Sequence, residues 1–235
     1  MKLLVVTRAD ENVTAYTRYT HPILKVFAEK WNADFKVLDS SCGPVFQRKL
    51  ALYELFESYD RVLHMDSDIV INRDCPNIFD MIPSDYIGLV FEDKGSRLKN
   101  RRDRIKQVKR ALGDIEHWVE GYFNMGFFVV SSIHQEMFTK IKGKLWGEDQ
   151  KKKPGGADQT HLCYQIMRLK YKYVDLGYKF NHMSMFSELW NGSPSRFDSH
   201  IIHYAGQAKF PDKGGRSRPE LMRDDIVRIY GQLIE

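Results

Sequence analysis

Two aspartates, Asp66 and Asp68, lie two residues apart at the end of the apolar run in VLHMDSDIVI (62–71). In an extended strand, residues i and i+2 point to the same side, so the two carboxylates would lie side by side. Adjacent like charges favour a shared divalent cation, because hard metal ions take oxygen ligands. For the pair taken alone, a solvated turn after a strand remains an open alternative.

The chain before these aspartates alternates between strand and helix patterns. Short apolar runs predict strands, and helical spacing predicts helices between them: strands at 2–7, 34–39 and 61–66, helices at 13–31 and 45–59. This order predicts a parallel sheet covered by helices. Because open sheets of this kind bind ligands at the carboxyl ends of their strands, Asp66 and Asp68 lie where a site is expected.

The remainder of the chain continues the same α/β pattern. Strands are predicted at 85–92, 121–132, 172–180 and 200–204, and helices at 133–145, 157–169 and 219–233. There is no internal repeat and no low-complexity linker. The sequence therefore predicts one α/β domain over residues 1–235.

Composition indicates a soluble protein with a sizeable core, since 43% of the 235 residues are hydrophobic and 13% are aromatic. Cys42, Cys75 and Cys163 are far apart and form no C-x-x-C pair, which argues against a zinc site or a disulfide framework. The N-terminal apolar run is too short for a signal peptide, and no run approaches a membrane span. We therefore expect a cytoplasmic location.

The net charge of +5 is unevenly distributed, with nine basic residues and one aspartate between Lys94 and Arg110. Such a basic segment can attract phosphates, anionic glycans or a membrane surface, so peripheral membrane contact through 94–110 is one prediction. A solvated basic helix is the simpler alternative. No aromatic residues interleave with the run, and nucleic-acid binding is not expected.

Two common phosphate-binding motifs are missing from the chain. It has no G-x-x-x-x-G-K-[ST] sequence, and no G-x-G-x-x-G follows the first strand. A nucleotide bound to this sheet would therefore need a metal and cationic side chains on its phosphates. A metal held by the D-x-D sequence would neutralise a diphosphate and stabilise it as a leaving group.

Several ordered segments together resemble glycosyltransferases of the GT-A fold, in particular the glycogenin-like family 8 enzymes. They are RKLALYELFESYDRVLHMDSDIVI (48–71), YFNMGFFVV (122–130), GGADQT (155–160), YKFN (178–181) and IIHYAG (201–206). The resemblance implies a Rossmann-like, mixed but mostly parallel sheet flanked by helices. It also implies a nucleotide-sugar donor, usually a UDP-sugar, bound with Mn²⁺ or Mg²⁺, and transfer of the sugar to a hydroxyl of an acceptor glycan or glycoconjugate.

The resemblance also implies the metal ligands, which would be Asp66, Asp68 and His203. Two carboxylates and one neutral imidazole suit a divalent ion of the Mn²⁺ type and leave positions for phosphate oxygens. His203 follows the apolar Ile201 and Ile202. A hydrogen-bonded core histidine is therefore the alternative interpretation of His203.

Further donor contacts are implied by matching motif positions. Thr7 and Arg8 would contact the uridine, Asp66 or Ser67 the ribose, and Lys49 the phosphates or the sugar. Asn124 and Gly126 match the F-N-x-G segment at the family's sugar pocket, and Gln159, from the family's D-Q pair, would also bind the donor. Gly206 and Lys209 follow the histidine at the spacing of the family's phosphate-binding segment, although this chain lacks the Pro-Trp that the family has after the lysine.

Asp158 is the candidate catalytic residue, because Asp158 and Gln159 match the family's D-Q pair at the start of a helix. In an inverting enzyme a carboxylate deprotonates the acceptor hydroxyl, whereas in a retaining enzyme it would orient or face the reacting sugar. An ordinary helix N-cap is the alternative role for Asp158. The stereochemistry of transfer stays open.

Two other functions compete with glycosyl transfer. MDSDIV also fits the D-x-D-x-[TV] motif of haloacid-dehalogenase-type phosphatases, in which the first aspartate is a nucleophile assisted by Mg²⁺. That site would need Asp224 and Asp225 as its downstream acidic pair, and its motif normally ends the first strand rather than a later one. A non-catalytic binder of polyanions through residues 94–110 is the third alternative.

Overall fold

A computed structural model describes residues 1–42, 48–148 and 156–234. The strands of this part of the chain are, in order, β1 (Leu3–Arg8), β2 (Asp34–Leu38), β3 (Arg61–Met65), β4 (Ile69–Ile71), β5 (Tyr86–Leu89), β6 (Phe127–Ser131), β7 (Lys172–Asp175) and β8 (Ile201–His203). Its α-helices are α1 (Thr14–Lys30), α2 (Leu52–Leu55), α3 (Ile78–Met81), α4 (Leu98–Leu112), α5 (Ala157–Arg168) and α6 (Arg218–Tyr230).

Six strands form the central sheet in the order β2-β1-β3-β6-β5-β7. β1 runs parallel to β2 and β3, and β5 runs parallel to β7. β6 is antiparallel to both of its neighbours. The predicted mixed, mostly parallel α/β sheet is therefore confirmed.

Helices cover both faces of this sheet, as its continuously apolar strands require. Side chains alternate along β1, so Val5 packs on the face that contains Ile23 of α1, while Leu4 and Val6 pack on the face that contains Ile105 of α4 and Leu162 of α5. Because β1 and β3 are parallel neighbours, their carboxyl ends meet at one edge of the sheet.

A second, two-stranded sheet completes that edge. β4 and β8 pair antiparallel, with Ile69 opposite His203. The backbone N–H of Tyr204 donates to the carbonyl oxygen of Asp68 at 2.9 Å. This register places the residue before β4 beside the last residue of β8, although 135 positions separate Asp68 from His203 in the sequence.

Residues 66–68 form a turn between β3 and β4 rather than a continuation of the strand. The expectation that Asp66 and Asp68 share one side of an extended strand was therefore wrong in its local geometry. The chain leaves the central sheet after Met65, and residues 69–71 pair with β8 in the smaller sheet. The turn, rather than strand alternation, brings the two carboxylates together.

Two predicted helices differ from the structure. Residues 43–47 lie outside the described part of the chain; beyond them, the helix predicted over 45–59 is a 3-10 turn (Arg48–Ala51) followed by the short α2. The helix predicted over 133–145 is a 3-10 segment (Ser132–Phe138), and a tight turn follows it. Lys142 and Gly143 in that turn have φ angles of 51° and 76°, which a right-handed helix does not allow.

Most of the other predicted elements agree with the structure within a few residues. The strand predicted over 121–132 begins only at Phe127, and the strand predicted over 172–180 ends at Asp175 and is followed by a 3-10 turn (Tyr178–Phe180). Within the described ranges, no helix combines the length and apolarity needed to cross a membrane. Cys75 and Cys163 are buried free thiols.

Candidate active site

Asp66, Asp68 and His203 converge at the carboxyl edge of the sheet. One ligand atom from each lies within 4.8 Å of the others. Nε2 of His203 is 3.3 Å from Oδ1 of Asp68. The three residues predicted to be metal ligands are therefore brought together by the turn after β3 and the end of β8.

The orientation of His203 fits a role as a metal ligand. Its Nδ1 lies 2.8 Å from the amide oxygen of Asn181, whose amide nitrogen donates to the side-chain oxygen of Asn124 at 3.0 Å. The amide oxygen can only accept, so Nδ1 carries a proton, and Nε2, which faces the aspartates, is the ring nitrogen that would bind a cation. Polar partners of this kind fix the tautomer of ligating histidines, so these residues fit a bound divalent cation.

Gly126 leaves the space that this cluster occupies. A Cβ atom at this position would lie 2.4 Å from Cε1 of His203 and 2.8 Å from Oδ2 of Asp66. The backbone also contributes, because the N–H of Asp66 donates to the Gly126 carbonyl at 2.6 Å. A glycine is therefore required here by the close approach of two side chains.

Two cations bridge Asp66 and Asp158 across the cleft. Arg8 lies 3.2 Å from each carboxylate, and Nζ of Lys49 lies 3.5 Å from each. Burial alone would raise the pKa of Asp66, but Lys49 and Arg8 outweigh it and hold this pKa below its usual range. Lys49 also donates to the Met125 carbonyl, which fixes its buried ammonium group.

Asp158 does not act as a helix cap. α5 begins at Ala157, its N-cap residue is Gly156 with φ of 75°, and no side chain caps the helix. The carboxylate of Asp158 instead faces Arg8 and Lys49 in the cleft. The N-cap alternative is therefore wrong, and the side chain is available to a ligand-binding site.

Arg218, at the start of α6, is a site residue that the sequence did not reveal. Its Nη1 donates to Oδ2 of Asp68 at 2.9 Å and to the Gly206 carbonyl at 3.2 Å. Burial raises the pKa of Asp68, whereas His203 and Arg218 lower it, and the net effect is a lowered pKa. Asp68 is thus ionised and held between a histidine and an arginine.

Glu92, the last residue of a predicted strand, is completely buried and organises the opposite wall of the cleft. One oxygen accepts hydrogen bonds from Arg97 and Arg101. The other accepts from the amides of Asn124 at 3.0 Å and Gln159 at 2.5 Å. Burial raises the pKa of Glu92, but Arg101 and Arg97 lower it below its usual value.

Thr7 and Ser67 hold the metal-site turn against β1. The hydroxyl groups of the two residues are 3.4 Å apart, and Ser67 donates to the carbonyl of Arg8. Thr20 of α1 donates to the Ser67 carbonyl at 2.7 Å. Thr7 is fully buried and Ser67 nearly so. Both therefore position the site from behind in this structure.

A cleft of about 520 Å³ opens over these groups. Nine of the predicted site residues line it: Arg8, Lys49, Asp66, Asp68, Asn124, Asp158, Gln159, His203 and Gly206. Glu92, Arg97 and Arg101 line it as well and were not predicted. Lys209 is exposed and lines a neighbouring groove instead. The cleft therefore gathers most of the candidate residues from six separate parts of the sequence.

The basic segment 94–110 is only partly a free cationic surface. Arg97 and Arg101 turn toward Glu92, Arg102 pairs with Glu120 at 2.8 Å, and Lys109 pairs with Asp114 at 2.7 Å. Peripheral membrane contact through this segment stays a prediction that these contacts do not support.

The acidic pair that a phosphatase would need lies elsewhere. Asp225 accepts two hydrogen bonds from Arg196, at 2.6 and 2.7 Å, and one from the hydroxyl of Tyr204. Asp224 pairs with the exposed Arg223. Neither aspartate lines the cleft, so the acidic pair that the phosphatase alternative requires, Asp224 and Asp225, does not lie at Asp66.

Comparison with known proteins gives a consistent family match. The sequence model of the family described as glycosyl transferase family 8 matches residues 5–211. A search of curated proteins found no significant match.

Solved structures of glycosyltransferases share the fold. The galactosyltransferase LgtC, solved with donor and acceptor sugar analogues, is 17% identical with a TM-score of 0.65, over 99% of this chain and 96% of that one. A glycosyltransferase involved in glycosylation of the major capsid of PBCV-1 is 16% identical with a TM-score of 0.61, and the match covers 95% of this chain and 100% of that one. GlyE of Streptococcus pneumoniae TIGR4 is 18% identical with a TM-score of 0.56, and the match covers 95% of this chain and 60% of that one. The predicted GT-A fold is therefore confirmed.

Proposed function

Since this chain belongs to glycosyl transferase family 8 and is a glycosyltransferase, we propose that it transfers a sugar from a nucleotide sugar, a UDP-sugar, to an acceptor hydroxyl in a metal-dependent reaction. The acceptor is a glycan or glycoconjugate. The single observation that carries this proposal is the convergence of Asp66, Asp68 and His203 on one point within the cleft.

Asp66, Asp68 and His203 would hold the metal, Mn²⁺ or Mg²⁺. Two carboxylates and a neutral imidazole nitrogen form a ligand set that suits Mn²⁺. When bound, the ion would supply Lewis-acid stabilisation of the negative charge on the leaving diphosphate. Asn181 supports this role, because its hydrogen bond keeps the Nε2 lone pair of His203 directed inward.

The chain's own cations would position the donor. Arg8 and Lys49 face the cleft beside Asp66. We assign Lys49 to the phosphates or the sugar, as the sequence predicted, and Arg8, which was predicted to contact the uridine, to the diphosphate instead. Asn124 and Gln159 share one oxygen of Glu92, which orients their amides along the wall where the sugar would lie.

The remaining predicted donor residues keep supporting roles in the proposal. Thr7 and Ser67 shape the nucleoside side of the cleft, and Gly206 lines the cleft with a φ of 64°, a conformation that favours glycine. Lys209 remains the proposed phosphate-binding lysine, a role that requires its side chain to turn from the neighbouring groove into the cleft.

Asp158 remains the proposed catalytic residue. Its carboxylate is fixed by Arg8 and Lys49 at 3.2 and 3.5 Å and lines the same cleft as the metal ligands. In an inverting reaction it would take the proton of the acceptor hydroxyl, and in a retaining reaction it would face the developing positive charge on the sugar. In either case Asp158→Asn should lower turnover far more than donor affinity.

Calorimetric titration of UDP, with and without Mn²⁺, tests the proposal. The parent protein should bind UDP only when Mn²⁺ is present, and Asp68→Ala should lose this binding while remaining folded. Asp74→Ala removes an exposed aspartate near the far end of β4 and should bind like the parent. Binding of UDP and Mn²⁺ by Asp68→Ala at parental affinity would contradict the assigned site.

Two broader predictions are kept as proposals. Residues 1–235 form one domain, which is supported by the central sheet's use of strands from residue 3 to residue 175. A cytoplasmic location is supported by the free thiols of Cys75 and Cys163.

A further inference from the structure

The cleft continues into a groove at each of two ends. At one end, a groove of about 160 Å³ beside β1 shares Arg8, Asp66 and Asp68 with the cleft. At the other end, a groove of about 340 Å³ shares Arg97 and Ala205 with it. We call the second one the Arg97 groove; it is also lined by Ser96, Ser184, Glu188, Gln207 and Lys209.

The two grooves suit different substrates. In the proposed function the nucleotide lies beside β1, and its sugar lies over Asp158 and Gln159. The Arg97 groove opens from the other end of the cleft, so a ligand entering through it approaches the donor sugar rather than the nucleotide. This is the approach that an acceptor must make.

Arg97 and Arg101 pair with the same buried carboxylate where the cleft meets the Arg97 groove. They share Glu92, whose other two hydrogen-bond partners are neutral amides. Among the described residues, neither guanidinium pairs with a second carboxylate.

Arg97 also retains hydrogen-bonding capacity. Within the described ranges it donates only through Nη1, to Glu92 and to the sulfur of Met183 at 3.7 Å, and its side chain is 24% exposed. Glu188 is engaged by the backbone and hydroxyl of Ser96. The Nε and Nη2 groups of Arg97 therefore remain available for a ligand.

Resting on the proposed function, we infer that the Arg97 groove is the acceptor subsite and that it takes an acidic sugar, one that carries a carboxylate close to the hydroxyl that is glycosylated. A guanidinium binds a planar carboxylate through parallel hydrogen bonds.

Matched pairs of probes test this inference by binding rather than by turnover. 4-Nitrophenyl β-glucuronide and β-glucoside differ only at C6, which is a carboxylate in the first and a hydroxymethyl group in the second. The β-galacturonide and β-galactoside form a second pair with the other C4 configuration. Calorimetry with saturating UDP and Mn²⁺ should show that at least one acidic probe binds about tenfold more tightly than its neutral partner. This preference should weaken as salt is raised.

Variants in one segment separate charge from structure. Arg97→Gln should abolish the preference, and Arg97→Lys should retain only part of it, because an ammonium group keeps the charge but cannot form the parallel hydrogen bonds. Lys99→Gln, which removes an exposed charge two residues away, should leave the preference unchanged. Equal binding of acidic and neutral probes, or a preference that survives Arg97→Gln, would overturn the inference.

The binding of UDP with Mn²⁺, measured first in each protein, distinguishes the two proposals. Its absence from the parent protein would defeat the proposed function itself. Its presence without a preference for acidic probes would defeat only the acceptor assignment. A preference for UDP-glucuronic acid over UDP-glucose that Arg97→Gln removes would place the carboxylate on the donor and would also overturn the assignment.

Discussion

The amide oxygen of Asn181 lies 2.8 Å from Nδ1 of His203, on the side of the ring opposite the two aspartates. This contact determines which ring nitrogen can bind a cation. Asn181→Ala should therefore weaken Mn²⁺ binding by about 10–100-fold, the usual effect of removing a partner of a metal ligand. Titration of Mn²⁺ followed by electron paramagnetic resonance measures the change.

Asn72→Ala provides the control for Asn181. Asn72 is another asparagine with an engaged side-chain amide, which donates to two backbone carbonyls at 3.1 and 3.3 Å, but it lies at the far end of β4 from Asp68. This variant should keep parental affinity for Mn²⁺. Equal affinity in Asn181→Ala and the parent would show that the amide does not orient the ligand.

Gly126→Ala should damage the same site by a different route. The added methyl group would meet Cε1 of His203 at 2.4 Å and Oδ2 of Asp66 at 2.8 Å, so one or both side chains must move. Ligating groups need to be held within about 0.5 Å of their productive positions. We expect Mn²⁺ affinity to fall about tenfold or more, measured by the same titration. Gly215→Ala, where an added Cβ meets nothing within 4 Å, should have no effect.

Neighbouring aspartates on α6 should differ sharply in their contribution to stability. Asp225 is buried and accepts from Arg196 and Tyr204, so Asp225→Ala leaves a buried guanidinium without one of its carboxylates. The free energy of unfolding in urea should fall by about 3–5 kcal/mol. Asp224 forms an exposed pair with Arg223, and Asp224→Ala should cost at most about 1 kcal/mol. Similar losses in both variants would contradict this picture of the buried pair.

Acid should destabilise the protein between about pH 6.5 and pH 4. Burial lowers the pKa of His134 to about 4, and its Nδ1 accepts the backbone N–H of Ser131 at 3.0 Å, a bond that protonation would break. The unfolded chain, with a histidine pKa near 6.5, binds this proton first, so folding stability is full above pH 6.5 and declines as the pH falls toward 4.

His134→Asn tests the source of this pH dependence. The asparagine oxygen can accept the same backbone N–H without titrating, so the decline should become shallower by up to about 1.4 kcal/mol per pH unit. The exposed His117→Asn is the control and should leave the decline unchanged. Urea unfolding at pH 7, 6, 5 and 4.5 gives the comparison, and an identical decline in His134→Asn and the parent would exclude His134.

The inner strands β1, β3 and β6 of the central sheet could be predicted from the sequence because they are buried on both faces. Continuous apolar runs such as those of β1 and β3 predict strands without any information about their neighbours in the fold. In the helix predicted over 133–145, Thr139 is extended directly after the 3-10 segment. Lys142 and Gly143 then adopt left-handed conformations, and hydrophobic spacing reports neither feature. The short β4 was missed because its partner β8 follows it by 130 residues.

The candidate site could be predicted where a motif carried it. Asp66, Asp68, His203, Lys49 and Asp158 all lie in segments that resemble the family, and the structure brings them together. Asn181 ends the YKFN segment and could have been found in the same way. Arg218 could not, because its contact with Asp68 spans 150 residues and no local pattern marks it.

Glu92 was harder to predict as a site residue, because the only indication in the sequence is that an acidic residue ends the apolar run of a predicted strand. Its two arginines lie four residues apart in the basic segment, at 97 and 101, where helical spacing places them on one side. Burial of the carboxylate, which the sequence does not report, is what turns them toward the cleft.

Thermal unfolding with UDP, GDP, ADP or TDP, each with and without Mn²⁺, tests the central claim most directly. A ligand at 100 times its dissociation constant adds about 2.7 kcal/mol of stability, which for a domain of this size raises the melting temperature by about 5–10 °C. We predict such a rise with UDP only when Mn²⁺ is present. No rise with any of the four nucleotides, with or without Mn²⁺, would contradict the assignment of Asp66, Asp68 and His203 to a metal–nucleotide site.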